Sequence, residues 1–123
     1  MTQASLRVLL VEDNDDSAEM LARRLRLRGF TVRRAADGAA AVDAATRDRP
    51  DIILMDLTMP GMDGWTATAE IRKDPSLENT RIIAVTAHAM SEDEERAREV
   101  GCDAFHTKPV NLALLIEQIR ALM

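Results

Sequence analysis

Three stretches of the chain, residues 7–12, 51–55 and 81–86, are largely apolar and rich in Val, Ile and Leu. Nearly unbroken apolar runs of this length are typical of strands that are covered on both faces in a parallel sheet. Two other stretches, 31–35 and 104–108, alternate apolar with polar residues. Such alternation suits the edges of a sheet, where charge discourages unwanted pairing. The pattern therefore predicts a sheet of five strands.

Helical periodicity fills the segments between these strands. In the last segment, apolar residues recur at i, i+3, i+4 and i+7 from Leu112 to Ile119, which predicts a helix that packs one face on the sheet. The segment after Asp15 repeats this pattern, and Gly29 is well placed to end that helix. The other predicted helices cover residues 38–47, 64–74 and 91–101.

Strand and helix thus alternate five times, an order that predicts an α/β fold. Right-handed crossovers between parallel strands place helices on both faces of an open sheet. With the polar strands at the edges, the expected strand order is 2-1-3-4-5, the doubly wound (βα)5 arrangement of flavodoxin-like proteins. A closed eight-stranded barrel needs about twice this length. A chain of 123 residues, 46% of them hydrophobic, fits one domain over residues 1–123.

Acidic residues end two of the predicted central strands. Glu12 and Asp13 follow the first strand, and Asp56 closes the third. Neighbouring strands lie about 4.8 Å apart, so these carboxylates would repel one another unless a cation compensates. Oxygen ligands with open positions for water suit Mg²⁺ better than Zn²⁺. A single acid at a strand end is more often a turn or helix cap, but three that converge predict a metal site.

An ammonium and a hydroxyl group end the next two strands. Lys108 closes strand 5, about 10 Å from the strand that bears Asp56, a gap that its long side chain can cross. Thr86 ends strand 4, which lies between them. Two carboxylates with a metal, facing an ammonium and a hydroxyl, form a set suited to holding a phosphoryl group.

With these residues, the chain resembles the receiver domain of two-component response regulators across practically its whole length. The segments that carry the resemblance, in the family's order and spacing, are Val11-Glu12-Asp13-Asn14, Leu54-Met55-Asp56-Leu57-Thr58-Met59-Pro60-Gly61-Met62-Asp63-Gly64, Ala84-Val85-Thr86-Ala87 and Lys108-Pro109. The resemblance implies that Asp56 accepts a phosphoryl group from the phosphohistidine of a histidine kinase or histidine phosphotransferase. It also implies Mg²⁺ held by Asp13, Asp56 and the backbone carbonyl of Thr58, with Glu12 acting through water.

The resemblance further implies a phosphorylation-activated switch of a two-component or phosphorelay system. Lys108 and Thr86 would contact the phosphoryl oxygens, and the Lys108-Pro109 peptide would be cis. Thr86 would move toward the phosphoryl group while Phe105 turns inward, which remodels the surface of helix 4, strand 5 and helix 5 for docking to a downstream protein. Such a domain is no conventional enzyme, since it catalyses only its own aspartyl phosphorylation and slow dephosphorylation.

Composition and charge agree with this interpretation. A net charge of −5 argues against nucleic acid and anionic membranes as partners, the apolar runs are too short to span a bilayer, and no secretory signal is visible. A cytoplasmic location follows by default, and the lone Cys102 excludes an intrachain disulfide. His106 is predicted to be a packing residue. The resemblance to receiver domains implies that the side chains of His88 and Thr58 tune the access of water to the acyl phosphate. The arginines predicted to form a solvated face are those at 23, 24, 26, 28, 33 and 34.

Three alternatives stay open at this point. In a haloacid-dehalogenase-like phosphatase, Asp13 would be the nucleophile, but Asp56 would be unexplained and the chain is short for a hydrolase with a substrate cap. A pseudo-receiver that binds partners without being phosphorylated is disfavoured because none of the acids is missing. A receiver excised from a larger regulator or hybrid kinase is the third, although Met1 and the end at Met123 favour a stand-alone regulator.

Overall fold

Strands and helices alternate along the chain in the computed structural model, which describes residues 5–59, 61–87 and 91–123. The strands are β1 (Arg7–Val11), β2 (Thr31–Ala35), β3 (Ile52–Asp56), β4 (Arg81–Thr86) and β5 (Ala104–Thr107). The helices are α1 (Asp15–Leu27), α2 (Gly38–Asp48), α3 (Gly64–Arg72), α4 (Ser91–Val100) and α5 (Leu112–Leu122). All ten predicted elements are confirmed close to their predicted bounds. A short 3-10 helix, Pro75–Leu77, was not predicted.

The five strands form one parallel sheet in the order β2-β1-β3-β4-β5. All five residues of β3 are buried, because helices cover both faces of this central strand. In β2, by contrast, only Val32 and Ala35 are buried, as expected for an edge strand. The predicted α/β class and strand order are therefore confirmed.

Alternate residues along each central strand pack on opposite faces of the sheet. Leu9 and Ile53 belong to a core cluster that α2, α3 and α4 complete. Val8 and Ile52 belong to a second cluster, completed by α1 and α5. The period of two along a strand assigns neighbours to opposite faces, and this doubly wound packing leaves the carboxyl ends of β1 and β3 free of helices.

Glycines permit two sharp turns at helix ends. Gly29 (φ +94°) follows α1 and Gly101 (φ +117°) follows α4, and both conformations are unfavourable for residues with a side chain. The prediction that Gly29 ends the first helix is confirmed.

A cation–π contact joins α3 and α4. The guanidinium of Arg96 lies 4.3 Å from the centroid of the Trp65 ring, and Trp65 packs against the core cluster beneath. This contact ties the outer surface of α4 to the start of α3.

Two expectations from the sequence concern membranes and the segment after β4. Among the described helices, none is both long and apolar enough to cross a bilayer. His88, which was expected to tune the access of water, lies outside the described residues.

Candidate functional site

Three carboxylates converge at the carboxyl ends of β1 and β3. The two strands are paired up to Val11 and Met55, so the residues that follow, Glu12 and Asp56, end side by side. Carboxylate oxygens of Glu12, Asp13 and Asp56 all lie within 4.8 Å of one another. Glu12 and Asp56 are 7% and 6% exposed, whereas Asp13 is open to solvent. The structure thus brings together the three acids that the sequence placed at these strand ends.

Asp56 lies at the centre of the cluster with both carboxylate oxygens in contact. Oδ1 accepts a hydrogen bond from the Thr58 N–H at 3.0 Å, and Oδ2 lies 3.3 Å from Lys108 Nζ. Burial raises the pKa of Asp56 to about 6, since the N–H of Thr58 and the charge of Lys108 only partly offset the lost hydration. Above that pH the group is a carboxylate, the form that can attack phosphorus.

Lys108 reaches across the sheet and pairs with two of the acids. Its Nζ lies 2.9 Å from Glu12 Oε1, in addition to the contact with Asp56. Burial alone would raise the pKa of Glu12, but hydrogen bonds from Lys108 and from the Asn14 N–H outweigh it and lower that pKa. Burial would likewise lower the pKa of Lys108, yet the two carboxylates raise it. The lysine is therefore held as an ammonium beside Asp56.

Thr86 and Phe105, the two residues assigned to a switch, lie on the neighbouring strands β4 and β5. Thr86 is buried at the end of β4, one residue beyond Val85, which pairs with Asp56. The N–H of Lys108 donates to the Thr86 carbonyl at 2.7 Å, and the Lys108–Pro109 peptide is cis, as the resemblance implied. Phe105 is half-buried against the core cluster of the α4 face.

Gly64 fixes the loop that follows Asp56. A Cβ atom at this first residue of α3 would overlap the carbonyl oxygen of Asp56 and the Cα atom of Leu57. The N–H of Gly64 also donates to the Leu57 carbonyl at 3.3 Å. Because the backbones touch here, the start of α3 lies directly against the strand end that carries Asp56.

Arg34 belongs to the site, although its sequence context indicated a solvated arginine. Its Nε and Nη2 donate to the backbone carbonyl of Glu12 at 3.0 and 2.8 Å, and its Nη1 lies 2.6 Å from Asp15 Oδ1. The side chain crosses from the edge strand β2 to the loop after β1, where it holds the backbone that carries Glu12 and Asp13. A position on β2 beside the end of β1 was the available signal, since Val11 pairs with Ala35.

The donor atoms of the cluster fit a hard divalent cation. All are carboxylate oxygens, and the exposure of Asp13 leaves room for water in the coordination shell. Thr58, the fourth predicted ligand, lies two residues beyond Asp56. Its N–H donates to Asp56 Oδ1, and its backbone carbonyl is the group expected to bind the cation. Among the residues that the structure describes, the cluster has no nitrogen or sulfur ligand, which disfavours zinc.

Comparisons with known proteins agree with this geometry. The family model described as response regulator receiver domain matches residues 8–120. The polar-differentiation response regulator DivK of Brucella anthropi is 38% identical over 114 residues, which are 93% of each chain. The chemotaxis protein CheY4 of Vibrio cholerae has a TM-score of 0.92 at 28% identity and covers 98% of this chain and 100% of its own.

A further solved structure is the receiver domain of the sensor histidine kinase PA1611 from Pseudomonas aeruginosa, with a magnesium ion coordinated in its active site cleft. It is 38% identical, with a TM-score of 0.89 over 97% of this chain and 98% of its own. The family model, the identities and the shared fold all agree with the acidic cluster at the strand ends. The chain therefore belongs to the response regulator receiver domain family of two-component signalling.

Proposed function

We propose that Asp56 accepts a phosphoryl group from the phosphohistidine of a histidine kinase or histidine phosphotransferase. A carboxylate oxygen of Asp56 attacks the phosphorus, the P–N bond to the donor imidazole breaks, and the donor histidine leaves with the electron pair and takes up a proton. The observation that carries this proposal is the buried Asp56 carboxylate, held by the Thr58 N–H with Lys108 3.3 Å away.

The surrounding residues position and neutralise the group being transferred. Lys108 is already charged and pointed at Asp56, and Thr86 at the end of β4 is the hydroxyl assigned to another phosphoryl oxygen. Asp13, Asp56 and the backbone carbonyl of Thr58 would hold Mg²⁺, with Glu12 acting through water. When bound, the cation reduces the repulsion between the acids and the incoming phosphoryl group.

The output is a shift between two arrangements of the protein. Phosphorylation favours the arrangement that holds the phosphoryl group better, with Thr86 drawn toward it and Phe105 turned inward. The surface of α4, β5 and α5 then docks to a downstream protein, in the cytoplasm and without direct contact to nucleic acid or membrane. The proposal for this surface rests on membership of the receiver domain family, whose model matches residues 8–120.

The same chemistry serves a receiver that works alone or within a larger protein. DivK, a response regulator, and the receiver of the sensor kinase PA1611 illustrate the two settings among the similar proteins. In either setting, the proposed output is docking through the surface of α4, β5 and α5.

Incubation with acetyl phosphate and MgCl₂ tests the acceptor. One phosphoryl group, stable to acid and labile to base, should be added to the wild type and be absent from Asp56→Asn. In the rival phosphatase, Asp13 would carry the label instead. Label that persists in Asp56→Asn and disappears in Asp13→Asn would overturn the proposal.

A further inference from the structure

We propose that His106 is a positioning residue for Lys108: its imidazole, bonded at both ring nitrogens, closes the loop that carries Lys108 to the acidic site. The sequence indicated only a packing residue at this position. His106 lies on β5 and is 2% exposed. The role that Lys108 has in phosphoryl transfer rests on the proposed function, but the positioning itself does not.

The hydrogen bonds around the ring have a defined direction. The backbone N–H of Asn111 can only donate, so His106 Nε2, 3.2 Å away, accepts. Gln118 Nε2 donates to the Phe105 carbonyl at 3.1 Å, which turns its Oε1 toward His106 Nδ1 at 2.7 Å. Nδ1 must then carry the proton. Both ends of the network require the same neutral tautomer, protonated at Nδ1 and bare at Nε2.

The ring links the end of β5 to the start of α5. Asn111 is the N-cap of α5, where its side chain accepts from the Leu114 N–H at 3.1 Å. The bond from Asn111 to His106 therefore closes a loop over residues 107–110, and Lys108 lies within it. An apolar residue at 106 would fill the same space but leave the Asn111 N–H and the Gln118 carbonyl oxygen without this partner.

The closed loop determines the position of the Lys108 ammonium group. Its backbone N–H is fixed to the Thr86 carbonyl at 2.7 Å on one side, and the His106 ring holds the continuing chain on the other. From this anchored backbone, Nζ reaches Glu12 at 2.9 Å and Asp56 at 3.3 Å. Releasing the loop should let the ammonium leave the carboxylates.

Two conservative substitutions separate positioning from packing, because each replaces a different ring nitrogen. In His106→Gln, the side-chain oxygen takes the place of Nε2 and can accept from Asn111. In His106→Asn, the shorter amide takes the place of Nδ1, donates to Gln118 and leaves the Asn111 N–H alone. If His106 contributed only packing, His106→Gln and His106→Asn would have similar effects on Lys108.

The readout is the reactivity of Lys108 toward an amine reagent, with Lys73 as internal reference. These are the only lysines in the sequence, and Lys73 is the exposed residue that caps the C-terminus of α3. Trace acetylation followed by peptide mass spectrometry gives the ratio of the two rates. His106→Asn should raise the Lys108/Lys73 ratio about fivefold, as expected for the loss of one buried hydrogen bond, and His106→Gln should leave it within about twofold. Equal ratios in the two variants would overturn the inference.

Gln118→Leu provides a second variant on a half-exposed helix position, in case the substitutions at 106 unfold the protein. Without the Gln118 oxygen the ring is free to protonate at Nε2, which can no longer accept from Asn111. The ratio should rise while circular dichroism stays unchanged, and an unchanged ratio would contradict the inference. Phosphorylation of Asp56 is measured in a separate experiment. If the wild type accepts no phosphoryl group but the Lys108/Lys73 acetylation ratios are as expected, the proposed function is refuted and the positioning role of His106 is established.

Discussion

Single side chains outside the acidic cluster decide how that cluster is held, and Arg34 is the clearest of them. Its two hydrogen bonds to the Glu12 carbonyl fix the loop that carries Glu12 and Asp13. Arg34→Ala should therefore weaken Mg²⁺ binding about tenfold, as is usual when a group that orients a ligand is removed. Isothermal titration with MgCl₂ measures the affinity.

Arg33 offers a matched control on the same strand. Its side chain is 71% exposed, and its ion pair with Asp48, 3.8 Å long, does not involve the acidic loop. Arg33→Ala should bind Mg²⁺ like the wild type. An equal loss in both variants would mean that general charge, and not the contact with Glu12, governs the affinity.

Cys102 should make the free energy of unfolding depend on pH in the alkaline range. Burial raises the pKa of its thiol from 9.0 to about 11. Below pH 9 the thiol is protonated in both states, but between pH 9 and 11 the unfolded chain loses the proton while the folded protein keeps it. The free energy of unfolding should consequently fall as pH rises, by about 2 kcal/mol from this group at pH 10.5.

Urea unfolding of the wild type and of Cys102→Ala at pH 8 and pH 10.5 isolates this contribution. The variant retains every other ionisable group of the chain, so the difference between the two pH dependences belongs to the thiol. Parallel losses of stability in the two proteins would refute the assignment.

The site residues predictable from sequence are those that directly follow a strand. Asp56, Asp13 and Lys108 end apolar or edge strands, and the strand order alone brings them to one edge of the sheet. The roles of Arg34 and His106 were not predicted because their hydrogen-bond partners are remote in the sequence. The partner of Arg34 is a backbone carbonyl 22 residues earlier, and that of His106 is a glutamine 12 residues later. The position of Arg34 on β2, beside the end of β1, was the one available signal, and nothing local in the chain marks the contact of His106.

Among the connections between elements, Arg72 joins the end of α3 to the segments around β4 and β5. Its guanidinium donates to the carbonyls of Gly101 and Leu77 at 2.9 and 3.1 Å and to Asp103 Oδ2 at 2.9 Å. Asp103 in turn accepts from the Ile82 N–H at 2.8 Å. Arg72→Ala should lower the free energy of unfolding by about 2 to 3 kcal/mol, because half-buried acceptors lose a charged donor.

The adjacent Lys73 supplies the comparison for this measurement. It is exposed, and its ion pair within the described part of the chain is with Glu70 one helical turn earlier, so Lys73→Ala should change stability by less than about 1 kcal/mol. Urea unfolding monitored by circular dichroism gives both values. Similar losses in the two variants would contradict the assignment, because the contacts of Arg72 would then contribute no more than those of an exposed lysine.

At the level of elements, hydrophobic periodicity was sufficient for strands and helices but not for short local structure. The apolar run of β3 and the alternation of apolar and polar residues in β2 each predicted the strand that the structure shows. The 3-10 helix at Pro75–Leu77 was missed because a local interaction forms it: the Asp74 side chain accepts from the Ser76 N–H at 2.9 Å, and Pro75 opens the turn. Such a turn has no hydrophobic period.

For the molecule as a whole, the repulsion between three converging carboxylates, which Lys108 offsets in part, should oppose folding until a cation binds. Mg²⁺ should raise the unfolding temperature, since a ligand at 100 times its dissociation constant adds about 2.7 kcal/mol. Asp13→Asn should be more stable than the wild type in EDTA, because one repulsive charge is gone, and should lose most of the gain from Mg²⁺.

Asp16→Asn removes an exposed acid of α1 that lies outside the cluster, so it should keep the full Mg²⁺ effect. Thermal unfolding by circular dichroism, in MgCl₂ and in EDTA, compares the three proteins. A full Mg²⁺ effect in Asp13→Asn would place the cation elsewhere.

The contact of Arg96 with Trp65 equips the protein with an optical probe. Trp65 is the only tryptophan and the chain has no tyrosine, so ultraviolet emission comes almost wholly from an indole lying beneath a guanidinium of α4. Any displacement of α4 changes the polarity around that indole and hence its intensity. Stopped-flow mixing of unlabelled protein with a phosphodonor can therefore time the movement of α4, with Arg96→Ala as the variant in which the signal should be altered.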